Sequence, residues 1–171
     1  MEKSYNSNGD LTKNYSATLI AETNFEENIS NSISPLSTHT TTDTKKSNGK
    51  DVQLSTTIYY TTGTYNKVPY ITITKVSAAS KLIDTTCKIS YTKVRGGYRG
   101  VNLATNKWID KTSAWTSNTG KTVSRSISGV KLDASGGILY SVWGEGYCQI
   151  KRGTQTWSFS MKVFEADATL F

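Results

Sequence analysis

The sequence is poor in the residues that most often carry catalysis and bind metals. It has one histidine, His39, and two cysteines, Cys87 and Cys148. A Ser-His-Asp triad, a Cys-His pair or a histidine-based metal site would have to use His39, which lies in a Thr-rich stretch. The two cysteines form no C-x-x-C pair and are too few for a structural zinc site. We therefore expect no enzyme of these classes, no metal and no cofactor.

Long apolar runs are missing as well. The chain has no stretch of about 18 apolar residues, so we expect no helix that spans a membrane. The first residues, Met1 to Asn6, are polar and lead into no apolar core, so the printed sequence shows no signal peptide. We expect a secreted protein instead because the Ser/Thr-rich, β-rich composition of the chain is typical of extracellular domains.

Carboxylates leave one enzymatic alternative open, a glycoside hydrolase that uses two acidic residues. Among the candidates Glu145 stands out, because it lies between Gly144 and Gly146 in a predicted strand. We favour its interpretation as a solvent-facing residue at a bulge. The acidic residues available for such a pair are Asp84, Asp110, Asp133, Glu145, Glu165 and Asp167.

What the chain does have is a small stock of large side chains in a polar background. Hydrophobic residues make up 36% of the 171 positions, but four Trp, ten Tyr and four Phe can fill a modest core. Thr and Tyr suit the half-buried surface of a strand, as in the run from Thr56 to Thr62. A chain of this length predicts one domain, which we place at residues 51–171.

Residues 1–50 differ from this domain in charge and pattern. Their net charge is 5 − 6 = −1, against 15 − 7 = +8 for residues 51–171. Residues 37–50 contain no apolar side chain, which predicts an irregular, exposed linker. Apolar residues recur every four positions from Ala21 to Ile33 and predict a short helix that Pro35 ends. As a function for this segment we expect a removable pro-segment.

From residue 51 the apolar residues alternate with polar ones, which predicts β-hairpins. The first joins residues 52–62 to 68–76 through a turn at 63–67. The second turns at Arg95-Gly96-Gly97, with Gly97 left-handed, so that Tyr91 pairs with Val101. The third turns at Arg152-Gly153. The expected fold is an all-β antiparallel β-sandwich or small barrel of about six to eight strands.

The two cysteines both fall on the apolar face of a predicted strand. In an oxidising compartment they would form a Cys87–Cys148 disulfide, with two reduced core cysteines as the alternative. Their spacing, with Trp108 between them, resembles the immunoglobulin framework. Trp108 comes later than the usual tryptophan, and Tyr147 directly precedes Cys148. The resemblance implies a two-sheet architecture only.

A group of aromatic and basic residues falls in predicted loops and hairpin ends. Exposed aromatic rings stack on sugars or enter membrane interfaces, and neighbouring cations suit an anionic polymer. The alternative is that the tryptophans fill the core. The candidate ligand-binding residues are Arg95, Tyr98, Arg99, Trp108 and Trp115.

Two functions follow as expectations. The first is a secreted, non-enzymatic binding or surface-associated module, of the kind exported by Gram-positive bacteria, for an anionic cell-wall polymer, a carbohydrate or a membrane surface. Nucleic acid is not an expected partner, because the basic residues are scattered along the strands. The second is a membrane-active or antibacterial protein in which the hairpin of residues 52–76 inserts into lipid.

Overall fold

The computed structural model describes residues 12–18, 37–49 and 51–166. Every regular element in these ranges is a β-strand, so the all-β, antiparallel fold expected from the sequence is confirmed. These ranges also contain no helix that is long and apolar enough to cross a membrane. The short helix predicted between Ala21 and Ile33 lies outside the described residues.

Eleven strands follow one another through the described residues and are numbered in chain order. They are β1 (Thr12–Thr18), β2 (Ser37–Lys46), β3 (Val52–Tyr65), β4 (Val68–Leu82), β5 (Lys88–Asn102), β6 (Lys107–Thr112), β7 (Thr116–Asn118), β8 (Thr122–Ser126), β9 (Leu132–Asp133), β10 (Ser141–Arg152) and β11 (Gln155–Ala166).

These strands form one antiparallel sheet that curls on itself as a half-barrel. The path across the sheet runs β1, β2, β3, β4, β9, β5, β10 and β11. Outside this path, β6 and β7 pair with β5, and β8 pairs with β4. Because the sheet curls, β10 and β11 lie against β2, β3 and β4, as the second layer of a sandwich would. The described strands are more numerous than the six to eight expected, and they belong to one continuous sheet.

The core lies between the two halves of the curled sheet. Strands β3 and β10 alternate between buried and partly exposed positions, as the period of two in their sequences predicts. The largest fully buried side chains come from both halves, so the apolar residues of each half cover those of the other. They include Leu54, Ile58, Ile73, Val76, Val94, Val142, Ile150 and Val163.

Two of the three predicted hairpins are present. The β3–β4 hairpin turns at Asn66 and Lys67, both with positive φ, and its turn is shorter than the expected 63–67. The β10–β11 hairpin has the two-residue loop that parity requires, but the loop is residues 153–154. Cys148 therefore lies opposite Phe159 instead of Trp157. A shift of one residue in the loop moves each partner by two and keeps every side chain on its predicted face.

The hairpin predicted at Arg95-Gly96-Gly97 is wrong. Strand β5 runs through these residues without turning, and Tyr91 pairs with Gln149 of β10 instead of Val101. The glycines serve close packing: a Cβ on Gly96 would lie 2.6 Å from Cγ1 of Val76. Gly97 is not among the described glycines with positive φ, so the left-handed conformation expected there is absent.

The irregular linker predicted for residues 37–50 is also wrong over most of its length. Residues 37–46 form β2, which pairs with β1 on one side and with β3 on the other. The inward positions of β2 are polar: Thr41 is 3% exposed and Asp43 is 5% exposed. A strand whose buried face carries no apolar residue gives no hydrophobic alternation, which explains the wrong prediction. Removal of residues 1–50 as a pro-segment stays a prediction.

The predicted disulfide is absent. Cys87 and Cys148 are both buried, as parity predicts, but they are free thiols. Lys88 pairs with Lys151, so Cys87 lies beside Arg152, four residues beyond Cys148 along the same pair of strands. Four residues of strand span about 13 Å, whereas a disulfide needs Cα atoms within about 7 Å. The prediction that both cysteines face the core was right, but the register between β5 and β10 keeps the two sulfurs apart.

Candidate aromatic and cationic binding face

The outer face of β5, β10 and β11 is formed by the odd-numbered residues of β10 and their partners. In β10 every even residue from Val142 to Ile150 is buried and every odd one is partly exposed. Because residues directly opposite in an antiparallel pair share a face, β10 places aromatic side chains beside cations of β5 and β11. Glu145, for example, has Arg95 opposite it on one side and Lys162 on the other.

Seven side chains on this face form a continuous series of contacts, which we call the aromatic–cation strip. Nζ of Lys162 lies 4.6 Å from the ring centre of Trp143, and Cζ of Arg95 lies 6.0 Å from the same centre. Arg95 also covers the ring of Trp115, with Cζ 4.5 Å from its centre. The members of the strip are Tyr91, Lys93, Arg95, Trp115, Trp143, Tyr147 and Lys162.

The strip continues from Trp115 to the tyrosines. The rings of Trp115 and Tyr147 meet edge to face at 6.3 Å, and Tyr147 stacks on Tyr91 at 5.9 Å. Nζ of Lys93 lies 4.6 Å from the ring centre of Tyr91 and 5.7 Å from that of Tyr147. The hydrogen bond with Tyr147 raises the pKa of Tyr91 above its ordinary value. Each ring of the strip therefore has a cation or another ring against it.

Arg95 is held in place at the centre of the strip. Its Nε and Nη2 donate to Oε2 of Glu145 at 2.8 and 2.7 Å. The side chains of Arg95 and Glu145 are 34% and 17% exposed, so the ion pair is only partly screened by water. It fixes the guanidinium plane beside Trp115 and reduces the number of orientations that Arg95 can adopt.

The residues predicted to bind ligand separate into three places. Arg95 and Trp115 belong to the strip. Arg99 is an exposed residue of β5. Trp108 of β6 is 55% exposed and pairs with Val101, which lies two residues beyond Arg99 in β5. Tyr98 is the exception: it is 7% exposed and its hydroxyl donates to the carbonyl of Ser128 at 3.3 Å. Its placement on the contact surface is wrong, because even residues of β5 near this point face the core.

Sequence reasoning missed five members of the strip, all in predicted strands: Tyr91, Lys93, Trp143, Tyr147 and Lys162. Trp143 and Tyr147 occupy odd positions of β10, opposite in parity to the apolar residues used to register that hairpin. Lys162 occupies the corresponding outward parity of β11. The signal that could have identified them was the alternation of β10, because it places two large aromatic residues on the face away from the core. Tyr91 was assigned to the apolar face of a hairpin that does not exist.

A second group of polar side chains lies at the far end of β10. Oδ1 of Asp51 accepts from Nη2 of Arg152 at 3.1 Å, and Asp84 accepts from the same nitrogen. The carboxylates and the thiol of Cys87 are close enough together to hold a metal ion by distance alone. The guanidinium of Arg152 bonds to both carboxylates and offsets one of their two negative charges. We therefore assign the group to structure.

The fold and this face define a β domain with an exposed surface of aromatic rings and cations. Comparison with protein families, with curated proteins and with solved structures returned no match for this chain.

Proposed function

We propose that this protein is a non-enzymatic binding module, acting outside the cell, whose aromatic–cation strip holds a sugar polymer. The observation that supports this is the continuous series of ring and cation contacts from Trp143 through Arg95 to Trp115, Tyr147 and Tyr91 on a single face. The C–H bonds on one face of a sugar ring meet the electron-rich face of an aromatic ring favourably. Several rings in a row suit a chain of sugars better than a single one.

The electrostatics of the strip favour binding over catalysis. Among the described outward residues of β5, β10 and β11, Glu145 is the one acid, and its carboxylate is engaged with Arg95. Hydrolysis of a glycosidic bond commonly needs two carboxyl groups, about 5 to 9.5 Å apart, on opposite sides of the bond. The position of Glu145 instead suits the alignment of Arg95 over Trp115.

Substitution of the tryptophans tests this proposal. Trp143→Ala and Trp115→Ala should each weaken retention of the protein in affinity gels that contain soluble polygalacturonate by about tenfold, which corresponds to about 1.4 kcal/mol. Trp108→Ala is the matched control, because Trp108 is exposed but lies outside the strip. Unchanged unfolding midpoints would show that the variants fold. Equal retention of all three variants and the native protein would contradict the proposal.

The membrane-active alternative stays a prediction. The hairpin it requires exists as β3 and β4, but its apolar residues, such as Leu54 and Ile73, are buried against the other half of the sheet. Insertion would have to expose this core. Leakage of dye from anionic vesicles would support the alternative, whereas a binding module should cause none.

A further inference from the structure

The outer face of β5, β10 and β11 has a surplus of positive charge that the ring contacts alone do not require. Six cations of this face lie in β5, β10 and β11, and Glu145 is the one described acid of these strands on the same face. Three of the cations belong to the strip, two lie beyond its tyrosine end, and Arg99 lies beyond Trp143 at the opposite end. The six are Lys88, Lys93, Arg95, Arg99, Lys151 and Lys162.

The two cations beyond the tyrosine end of the strip form a pair. Lys88 and Lys151 lie directly opposite each other in the β5–β10 ladder, and both are exposed. Side chains in this relation have Cβ atoms about 5 Å apart, and like charges placed so are destabilising. Within the described part of the chain neither lysine takes part in an ion pair. No described carboxylate therefore offsets the repulsion of this lysine pair, and an anionic ligand would relieve it.

The spacing along β10 limits the size of that ligand. From Trp143 to Lys151 is eight residues, or about 26 Å of strand. A single sugar cannot touch both ends of this distance. A polymer that stacks on the rings can reach the lysine pair with a later unit of the same chain.

We infer that the ligand of the strip is an anionic glycan, and that its negatively charged groups bind at the lysine pair and beside Lys93. This inference rests on the proposed function, because it assigns a charge to the polymer that the rings hold. The complementarity is specific in position: rings at one end of the face and unneutralised ammonium groups at the other. A neutral glycan would meet the rings but leave the lysine pair unpaired.

The test compares two polymers with the same sugar backbone, polygalacturonate and its fully methyl-esterified form. The native protein should bind the charged polymer at least tenfold more tightly than the ester, and increasing salt should weaken that binding. Lys88→Gln combined with Lys151→Gln should remove most of this preference and leave binding of the ester unchanged. The double variant should also unfold at a slightly higher denaturant concentration, because the repulsion is gone.

The matched control is Lys46→Gln combined with Lys81→Gln. These exposed lysines flank Gln53 on β2 and β4, in the other half of the sheet, and the control changes the net charge by the same amount. It should keep the preference for the charged polymer. An equal loss in both double variants would overturn the assignment to the lysine pair, because net charge alone would then explain the binding.

The remaining outcomes separate this inference from the proposed function. Equal affinity for both polymers, with loss of binding in Trp143→Ala, would overturn the anionic ligand and keep the sugar-binding function. Binding of neither polymer would overturn both. Inorganic polyphosphate or phosphatidylglycerol vesicles that bind as tightly as polygalacturonate, without dependence on Trp143, would identify a general polyanion or a lipid surface and overturn the glycan.

Discussion

At the scale of single residues, glycines determine how closely the two halves of the sheet approach. Gly146 of β10 faces Thr56 of β3 and Ala78 of β4, and a Cβ at this position would lie 3.2 Å from that of Ala78 and closer still to Oγ1 of Thr56. Thr56 is itself fully buried. The inner layer has no room for one more methyl group here, so the glycine is needed for its small size.

This close approach predicts that Gly146→Ala destabilises the protein by about 1 to 3 kcal/mol, the usual cost of overpacking a filled core. Gly136→Ala is the matched control, because a Cβ on Gly136 would meet no atom within 4 Å. Chemical denaturation of both variants measures the difference. A Gly146 variant as stable as the control would show that the two halves separate easily at this point.

The cysteines give a second prediction at this scale. Cys87 and Cys148 are 1% and 0% exposed, and burial raises the pKa of the Cys148 thiol. Because thiolate is the reactive form, a thiol reagent should react slowly with the folded protein and should titrate two thiols after unfolding. Intact mass measured without reductant should show no loss of two hydrogens. A mass deficit of about 2 Da would show that the two residues form a disulfide, as the sequence-based prediction had it.

At the scale of elements, β2 is the strand whose role differs most from the sequence-based expectation. Its side chains bond to β3 across the ladder: the hydroxyls of Thr42 and Thr57 are 2.8 Å apart, and those of Thr44 and Ser55 are 3.0 Å apart. Oγ1 of Thr41 also donates to Glu165 of β11, across the curl of the sheet, at 3.4 Å. Polar contacts replace the apolar ones that usually hold an inner strand.

We therefore predict that the amides of residues 37–46 that bond to β3 exchange slowly with deuterium. The reason is that backbone groups paired in a ladder exchange only when the ladder opens. Hydrogen exchange followed by mass spectrometry of peptides from this region provides the measurement, and residues 153–154 at the β10–β11 turn serve as the fast-exchanging control. Exchange in β2 as fast as in that turn would favour the linker first expected there.

The elements that could be predicted from the sequence are those with apolar alternation on one face. Strands β3, β4, β10 and β11 have it, and their pairing follows from parity and short turns. Strand β2 lacks it, and β5 contains Gly96 and Gly97, which resemble a turn in sequence but provide space for neighbouring layers. A pair of glycines allows both interpretations, and only the residues packed against them distinguish the two.

Only part of the binding face could be predicted from the sequence, because the face of each residue depends on the strand register. Arg95 and Trp115 were selected as neighbours of a loop, and the structure brings them together although β5 has no loop there. Tyr98 was selected with them and is buried, because one residue of shift reverses the face of a strand. The contact between Trp143 and Lys162 depends on the β10–β11 register, and the register predicted from the sequence was displaced by two residues.

At the scale of the whole molecule, Arg152 ties together segments that are distant in sequence. It extends from the end of β10 and contacts Asp51, which precedes β3, and Asp84, in the connection between β4 and β5. These contacts lie at the end of the curled sheet where the two halves meet. Loss of the charge on either carboxylate should weaken the connection between the halves.

Asp84 gives this contact a dependence on pH. The backbone N–H of Thr86, the hydroxyl of Thr86 and the guanidinium of Arg152 lower the pKa of Asp84 in the folded state. In the unfolded chain the pKa of an aspartate is about 3.9. The folded protein therefore binds this proton less tightly, so the stabilisation is complete above the unfolded pKa and is lost as pH falls through the lower folded pKa.

We accordingly predict that Asp84→Asn unfolds more readily than the native protein at neutral pH and that the difference shrinks toward zero as pH falls below the unfolded pKa of about 3.9 and through the lower folded pKa. Asparagine can still accept the bonds from Thr86, so the substitution removes mainly the attraction to Arg152. Denaturant midpoints measured across this range give the difference. Asp110→Asn, an exposed carboxylate of β6 outside any described ion pair, should show little change at any pH. A gap between Asp84→Asn and the native protein that stayed constant with pH would show that the ion pair does not connect the two halves of the sheet.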